Sequence, residues 1–332
     1  MKSKILENIE PFNEFNFYDC MLHAVFSVIN HFGRHVYPFF LKSAYKIDLN
    51  GAVSIDFKGK KTEDILSEMG IVQCGKNVSE NIILDIKNAL DAEHPVVVCL
   101  DCYYESIRDD TYMKNHFSHA FLIYGFDDNI EKFHIIEHKY NNSAVYMKRQ
   151  IAYDDIINCY RSGIDNLGLQ NYVDTFFEYS VVPGFEYGFN DRDYYIMYLD
   201  AINQNREVLK NNLVELRDNI PNFITLISEP DNLDEVISGL SEVINEKNKE
   251  RYILLSLIHD DFGSLNNIMD KIINEWTIIR GIIAKMKFSE KIDERNLDNI
   301  RIRREEIYQK ESELLGGLLD ICFKEKGGQD EI

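Results

Sequence analysis

Basic residues are scarce relative to acidic ones: 36 Lys and Arg stand against 56 Asp and Glu, a formal charge of −20. A surface so acidic repels phosphate backbones, which argues against nucleic acid as a partner and makes cationic small molecules the natural guests. Proline is rare, with six in 332 residues, and only Pro221 and Pro230 lie beyond residue 191. No low-complexity linker and no repeat of fixed period interrupts the chain, so a repeat array is not expected. Apolar runs are short. The longest, such as 95–100, fall far below the roughly 20 residues of a membrane-spanning helix. The opening Met1-Lys-Ser-Lys-Ile-Leu-Glu-Asn offers no apolar core of signal-peptide type, so no secretion signal is expected. Cysteine is thin as well: positions 20, 74, 99, 102, 159 and 322 are scattered, unlike a disulfide-dense secreted domain. Reduced thiols, a cytoplasmic setting and no membrane partner are the expectation. Gly33, Gly70 and Gly125 form no phosphate-cradling loop, and nothing supports nucleotide use.

What is present divides into two textures. Length and a 45% apolar content suit two globular domains. In the first, Asp19 is placed to cap a helix from Cys20 to about Phe32. Met21, Leu22, Val25, Val28, Ile29 and Phe32 form its stripe, and Gly33 ends it. Further helices are predicted over about 38–45, from Thr62 to Gly70, and from Ser79 to before His94. Strands are then predicted over 95–101, 119–125, 132–138 and about 144–149, a helix over 153–159, and a last strand over 175–182. Helices followed by an antiparallel meander make an α+β domain, 1–187. The remainder reads as helical over about 191–218, 231–247, 249–259, 264–286 and 289–325, giving a helical domain over 188–325 and a frayed tail over 326–332.

Cys20 is the most informative position. A thiol in the first turn of an apolar helix meets the positive end of the helix dipole and unpaired N–H groups, which favour the thiolate and can hold an oxyanion. A buried structural cysteine is the competing reading. His119 heads a strand and is suited to form a thiolate–imidazolium pair with a helix-start thiol. If the strands around Asp127 pair as a hairpin, Glu137 lies near the same end and can hold the second ring nitrogen, with His138, on the opposite face, as the neighbouring alternative. Tyr103, Tyr104, Tyr112 and Phe117 are candidates to line an acyl channel, although aromatic residues also serve core packing. Cys99 and Cys102 have redox or zinc spacing without a second pair, and His116, His119, His134 and His138 form a second metal candidate, without a helical His-Glu-x-x-His. The main expectation is no metal.

The segments Asp19-Cys-Met-Leu-His-Ala-Val-Phe-Ser-Val-Ile-Asn-His-Phe-Gly, His94-Pro-Val-Val-Val-Cys-Leu-Asp-Cys-Tyr-Tyr and Asn115-His-Phe-Ser-His-Ala-Phe-Leu-Ile-Tyr-Gly-Phe-Asp-Asp together carry a resemblance. The first is similar to the cysteine-bearing helix of the papain-like superfamily. In order and spacing the three resemble the N-terminal domain of the butirosin-biosynthesis acyltransferase family, a relative of bacteriocin-processing peptidases. The match covers roughly the first 150 residues. The resemblance implies a papain-like fold, Cys20 as nucleophile and His119 as base, with Glu137 where the family usually carries aspartate. The peptidase relatives hold the oxyanion with a glutamine before the cysteine. This chain has only Asn13 and Asn16 there, and Asn16 is the favoured substitute.

By the same resemblance the acyl donor is a thioester on the phosphopantetheine of an acyl or peptidyl carrier protein. The acceptor is a small amine or diamine, the setting is thiotemplated natural-product biosynthesis, and no bound cofactor is implied. An acidic carrier would need a basic patch, for which Arg301, Arg303 and Arg304 are candidates, with a solvated helix face as the plainer reading. The helical half suits a lid over the site or a homodimer interface. A peptidase or thioesterase with water as acceptor, and an inactive scaffold that binds a carrier or peptide, are the alternatives.

Overall fold

The computed structural model describes residues 2–15, 19–40, 44–47, 53–56, 61–139, 143, 145–258 and 262–327. In chain order the strands and α-helices are β1 (Ser3–Ile5), α1 (Cys20–His31), β2 (Ala44–Ile47), β3 (Val53–Asp56), α2 (Thr62–Glu68), β4 (Ile71–Lys76), α3 (Ile82–Asp91), β5 (Val96–Asp101), β6 (Ser118–Asp127), β7 (Lys132–His138), β8 (Tyr146–Ala152), α4 (Tyr153–Asp165), β9 (Phe176–Val181), α5 (Asp191–Gln204), α6 (Arg206–Asp218), α7 (Ile220–Ile227), α8 (Leu233–Leu257), α9 (Phe262–Ser289) and α10 (Glu294–Gly327). The fold is α+β, with an antiparallel sheet followed by a helical region. None of the helices among the described residues is long and apolar enough to cross a membrane.

Two compact units divide the chain. The first comprises 1–36 and 60–188, and the second 37–59 and 189–332. The expected first domain, 1–187, thus gives up an internal segment to the helical unit. Of the helix predicted over 38–45, residues 41–43 lie outside the described residues; those described form a short 3-10 turn, Tyr37–Phe39, and the start of strand β2, which pairs antiparallel with β3. Pro38 removes a backbone donor and Tyr45 is a good strand former, so the apolar residues there read as helical only by spacing. β3 packs on α8 of the same unit. A Cβ on Gly239 of α8 would lie 2.9 Å from the Val53 carbonyl oxygen, so only glycine admits that approach.

The first unit is built on a sheet of order β4-β9-β5-β6-β7-β8, with every pair antiparallel. β1 pairs with the end of β6 that β5 leaves open. The central strands carry near-continuous apolar runs because both faces are covered: Val96, Val97, Val98 and Leu100 of β5 are each fully buried. α1 packs against β6, and α4 against β5. In α1, Ala24, Val25, Phe26, Val28 and Ile29 are at most 3% exposed. At about 1.5–3 kcal/mol for each of the larger side chains, this face anchors the helix and hence its first turn. Asp19 caps the start by accepting from the Leu22 N–H at 3.0 Å, and Gly33, at φ 66°, ends it.

In the second unit the expected 191–218 helix is broken at Asn205, where α5 and α6 meet. The expected break at Pro221 is instead the first turn of α7, a position where a missing N–H costs nothing. The two helices predicted over 231–259 run as one, α8. Helices α8, α9 and α10 pack in succession around Trp276, which is fully buried.

The proposed basic patch does not exist as one face. The Arg304 side chain is buried, its guanidinium 4.5 Å from the Phe223 ring centroid and 5.2 Å from that of Trp276, and it donates to the Leu216 carbonyl at 3.0 Å. Arg303 pairs with Glu275 at 2.5 Å, and Arg301 pairs with Asp298. Burial of Arg304 and the pairing of the other two with carboxylates leave no basic face there. Of the tail predicted to fray, residues 328–332 lie outside the described residues.

Candidate active site

Cys20 opens α1 and is partly exposed. Cys99, Cys102, Cys159 and Cys322 are buried, and Cys74 is exposed. Burial pushes the Cys99 thiol up to about 12 and Cys102 still higher, so the pair with redox or zinc spacing is held protonated. Cys20 differs in its neighbour. His119, the second residue of β6, is close enough for the Cys20 side chain to raise its pKa.

His119 is 3% exposed, and its Nε2 lies 2.7 Å from Oε2 of Glu137. With Nε2 committed to the carboxylate, Nδ1 is the ring nitrogen left for the thiol. The register explains the meeting. Leu122 pairs with Ile136 and Ile123 with Ile135, so continuing the hairpin brings Glu137 to the His119 end of the ladder. Glu137 is fully buried. Its Oε1 accepts from the His138 N–H at 2.6 Å and from Arg108 Nη1 at 3.4 Å.

Two opposed shifts characterise the pair. Burial alone would lower the His119 pKa, but the charge of Glu137 and hydrogen bonds with Cys20 and Glu137 outweigh it, so the imidazolium persists well above its ordinary range. Burial alone would raise Glu137, yet the His119 charge and hydrogen bond, helped by His138, hold it below the usual carboxylate value. The group between thiol and carboxylate is therefore a buried imidazolium.

His138 is not directed away from His119, as strand alternation predicts. Its ring stacks 5.2 Å from that of His119, at 23°, and 4.4 Å from the Tyr146 ring. β7 ends at His138, and the pleat with it. Its Nδ1 bonds the Ser143 carbonyl and its Nε2 lies 3.3 Å from the Tyr146 hydroxyl; desolvation lowers its pKa and leaves it neutral beside His119. The ligand atoms of His119, Glu137 and His138 lie within 4.8 Å of one another, a set compatible with a metal ion. The Arg108 guanidinium already supplies positive charge at Glu137, which disfavours a second cation. Neither His116 nor His134 belongs to this cluster among the described residues.

Of the two asparagines, Asn16 lies outside the described residues. Asn13 pairs with the backbone of Tyr146: its Oδ1 accepts from the Tyr146 N–H and its Nδ2 donates to the Tyr146 carbonyl, each at 2.9 Å. Tyr103 stacks on His116 at 4.3 Å and 9°, and Tyr104 meets Tyr103 edge-on at 4.9 Å. Both lie on the 3-10 turn Cys102–Tyr104, half-buried. Tyr112 and Phe117 are exposed on the same loop, 102–117.

The residues that sequence reasoning missed are on that loop. Arg108, 4% exposed, is held by two bonds to Asp110 (2.8 and 2.6 Å) while it reaches Glu137. Asp101 closes the neck of the loop. It accepts from the Tyr103 N–H (3.1 Å) at one end, from the Phe117 N–H (3.0 Å) and His116 Nδ1 (2.5 Å) at the other, and from Ser162 of α4 (2.6 Å). Burial alone would raise its pKa, but the bonds from His116, Ser162 and the two N–H groups hold it low. Asp101→Asn should therefore cost about 3 kcal/mol of stability by denaturant titration. The difference from wild type should persist from neutral pH down to about 4 and close below it, because a depressed carboxylate loses its contribution as pH falls through its folded value. The only sequence signal for Arg108 was a cation flanked by acidic residues, Glu105, Asp109 and Asp110, in a loop before a histidine strand.

Chemically, the arrangement joins a partly exposed thiol, an imidazolium and a carboxylate that fixes the ring, with the first N–H groups of α1 beside the sulfur. Such a group can attack an acyl carbon and relay the proton that the attack or the leaving group requires. Compared with known proteins, the chain matches no family model, and no curated protein matches it.

Proposed function

We propose that this protein is a cysteine acyltransferase of papain-like plan that forms an amide bond, with Cys20 as nucleophile, His119 as proton relay and Glu137 as the group that orients it. The observation that carries this reading is an imidazole buried to 3% exposure, 2.7 Å from a fully buried carboxylate and under the influence of a helix-start thiol. The thiolate of Cys20 attacks the thioester carbonyl, and the α1 N–H groups stabilise the oxyanion. The bond to the donor sulfur breaks, and His119 protonates the departing thiolate. A neutral amine then attacks the acyl-enzyme and passes its proton to His119, and the bond to Cys20 breaks, restoring the thiolate–imidazolium pair.

Transfer is favoured over hydrolysis by the family resemblance of the three motifs. The charge of −20 also concentrates cationic amines near the protein. The donor would be a carrier-bound pantetheine thioester and the acceptor a small amine or diamine. No described basic patch marks where the carrier docks.

Intact-mass spectrometry with an acyl N-acetylcysteamine thioester tests the reading. The expected result is a one-acyl adduct on Cys20, discharged faster by a short aliphatic diamine than by water. Discharge unaffected by the diamine would assign a thioesterase or peptidase. Absence of any adduct on folded protein would assign a binding scaffold.

A further inference from the structure

A second carboxyl stands behind the His119–Glu137 pair and has no role in the steps above. Glu105 lies just after the 3-10 turn that follows β5. Its N–H donates to the Cys102 carbonyl, and its own carbonyl accepts from the Arg108 N–H, each at 3.0 Å, so Glu105 and Arg108 rise from one turn. The Glu105 side chain is fully buried, and neither carboxyl oxygen meets a nitrogen or hydroxyl donor among the described residues; the Cys102 thiol is its polar neighbour. A buried carboxylate without donors is among the costliest groups a protein can carry.

The charges around it say how that cost is avoided. Glu137 from β7, His119 from β6 and Arg108 from the loop all face it, together with the thiols of Cys102 and of Cys159 on α4. Arg108 is already bonded twice to Asp110 and once to Glu137. With Glu137 and Asp110 ionised, Arg108 and His119 balance them. A charged Glu105 would leave the buried cluster one negative charge in excess. Two carboxyls beside one imidazolium, with the only guanidinium of the cluster already shared, behave as a coupled pair.

We infer that Glu105 is a positioning residue of this site: it shares one proton with Glu137, carrying that proton at rest and taking up the negative charge behind His119 when Glu137 cannot. Burial, and after it the charge of Glu137, pushes Glu105 up to about 8, which accords with a neutral acid at rest. Two consequences follow. Above that pH a second negative charge enters behind His119 and prolongs the imidazolium. Neutralising Glu137 by substitution removes the like charge that adds to burial in holding Glu105 protonated, so Glu105 ionises more readily beside His119 and retains part of the support for the ring.

The inference rests on the Cys20–His119 pair but needs no acyl donor for its test. Alkylation of Cys20 by iodoacetate, an anion drawn to the imidazolium, is followed by peptide mass spectrometry from pH 6 to 10. Folding of each variant is checked by near-ultraviolet circular dichroism. Glu105→Gln should move the alkaline fall in rate about one pH unit lower, a tenfold change in proton affinity. In the Glu137→Gln background, adding Glu105→Gln should slow alkylation at pH 7.5 by about tenfold further. A Glu105→Gln profile that overlays the wild type would overturn the inference, as would a folded double variant no slower than Glu137→Gln alone. Either failure leaves the acyl-transfer reading standing, because adduct formation from a thioester is measured separately.

Discussion

Cys20→Ala should yield a folded protein that forms no acyl adduct and turns over no thioester, a loss of about 10⁴-fold or more. The reason is local. Cys20 is the only partly exposed thiol placed against an imidazole among the described residues, and four of the other five are buried. The substitution barely disturbs the scaffold. Alanine is the best helix former, and the buried apolar face of α1 starts beyond position 20. Unfolding midpoints of the two proteins should therefore agree within a few degrees while activity separates completely. If Cys20→Ala kept its activity, the nucleophile would be another group and the mechanism would fall.

His119→Ala should lower turnover by about 10³-fold, the scale of a lost general acid–base group, and should also cost stability. Truncating the ring leaves Glu137 fully buried and without its imidazolium partner, for which about 3–5 kcal/mol is expected. The pH dependence separates this from simple loss of packing. His119 is raised above 6.5, so its contribution is complete below that pH and disappears as pH climbs through the folded value. Glu137 is depressed below 4.5, so its contribution is complete above that pH and disappears as pH falls through its folded value. The stability gap between wild type and His119→Ala should therefore be widest between about pH 4.5 and 6.5 and narrow on both sides. A gap independent of pH in denaturant titrations would show that the ion pair is not what the ring supplies.

Much of the site was legible in linear order because it lies on regular elements. Asp19, the apolar stripe and Gly33 delimit α1, and the β-branched run at 96–98 can only be a strand covered on both faces. Counting back from the Asp127 turn then carries Glu137 to His119. The same counting failed for His138, since alternation holds only while the strand continues. It was silent for Glu105 and Arg108, because a loop has no period from which a direction can be read. Strands β1 and β4 were missed for a related reason: three and six residues with little alternation carry no pattern of their own and exist because β6 and β9 offer them an open edge.

The amino-acid order by itself placed the candidate groups on their helices and strands, since caps, breakers and apolar periodicity act within a few residues. Tertiary structure alone decided their state. Burial and neighbouring charge, which come from segments far apart in the chain, make His119 an imidazolium, Glu137 a carboxylate and Glu105 a neutral acid. They also turned Arg304 from a supposed surface cation into a core side chain. A proton's position depends on the three-dimensional field around it, and that field is not written in any local pattern of residues.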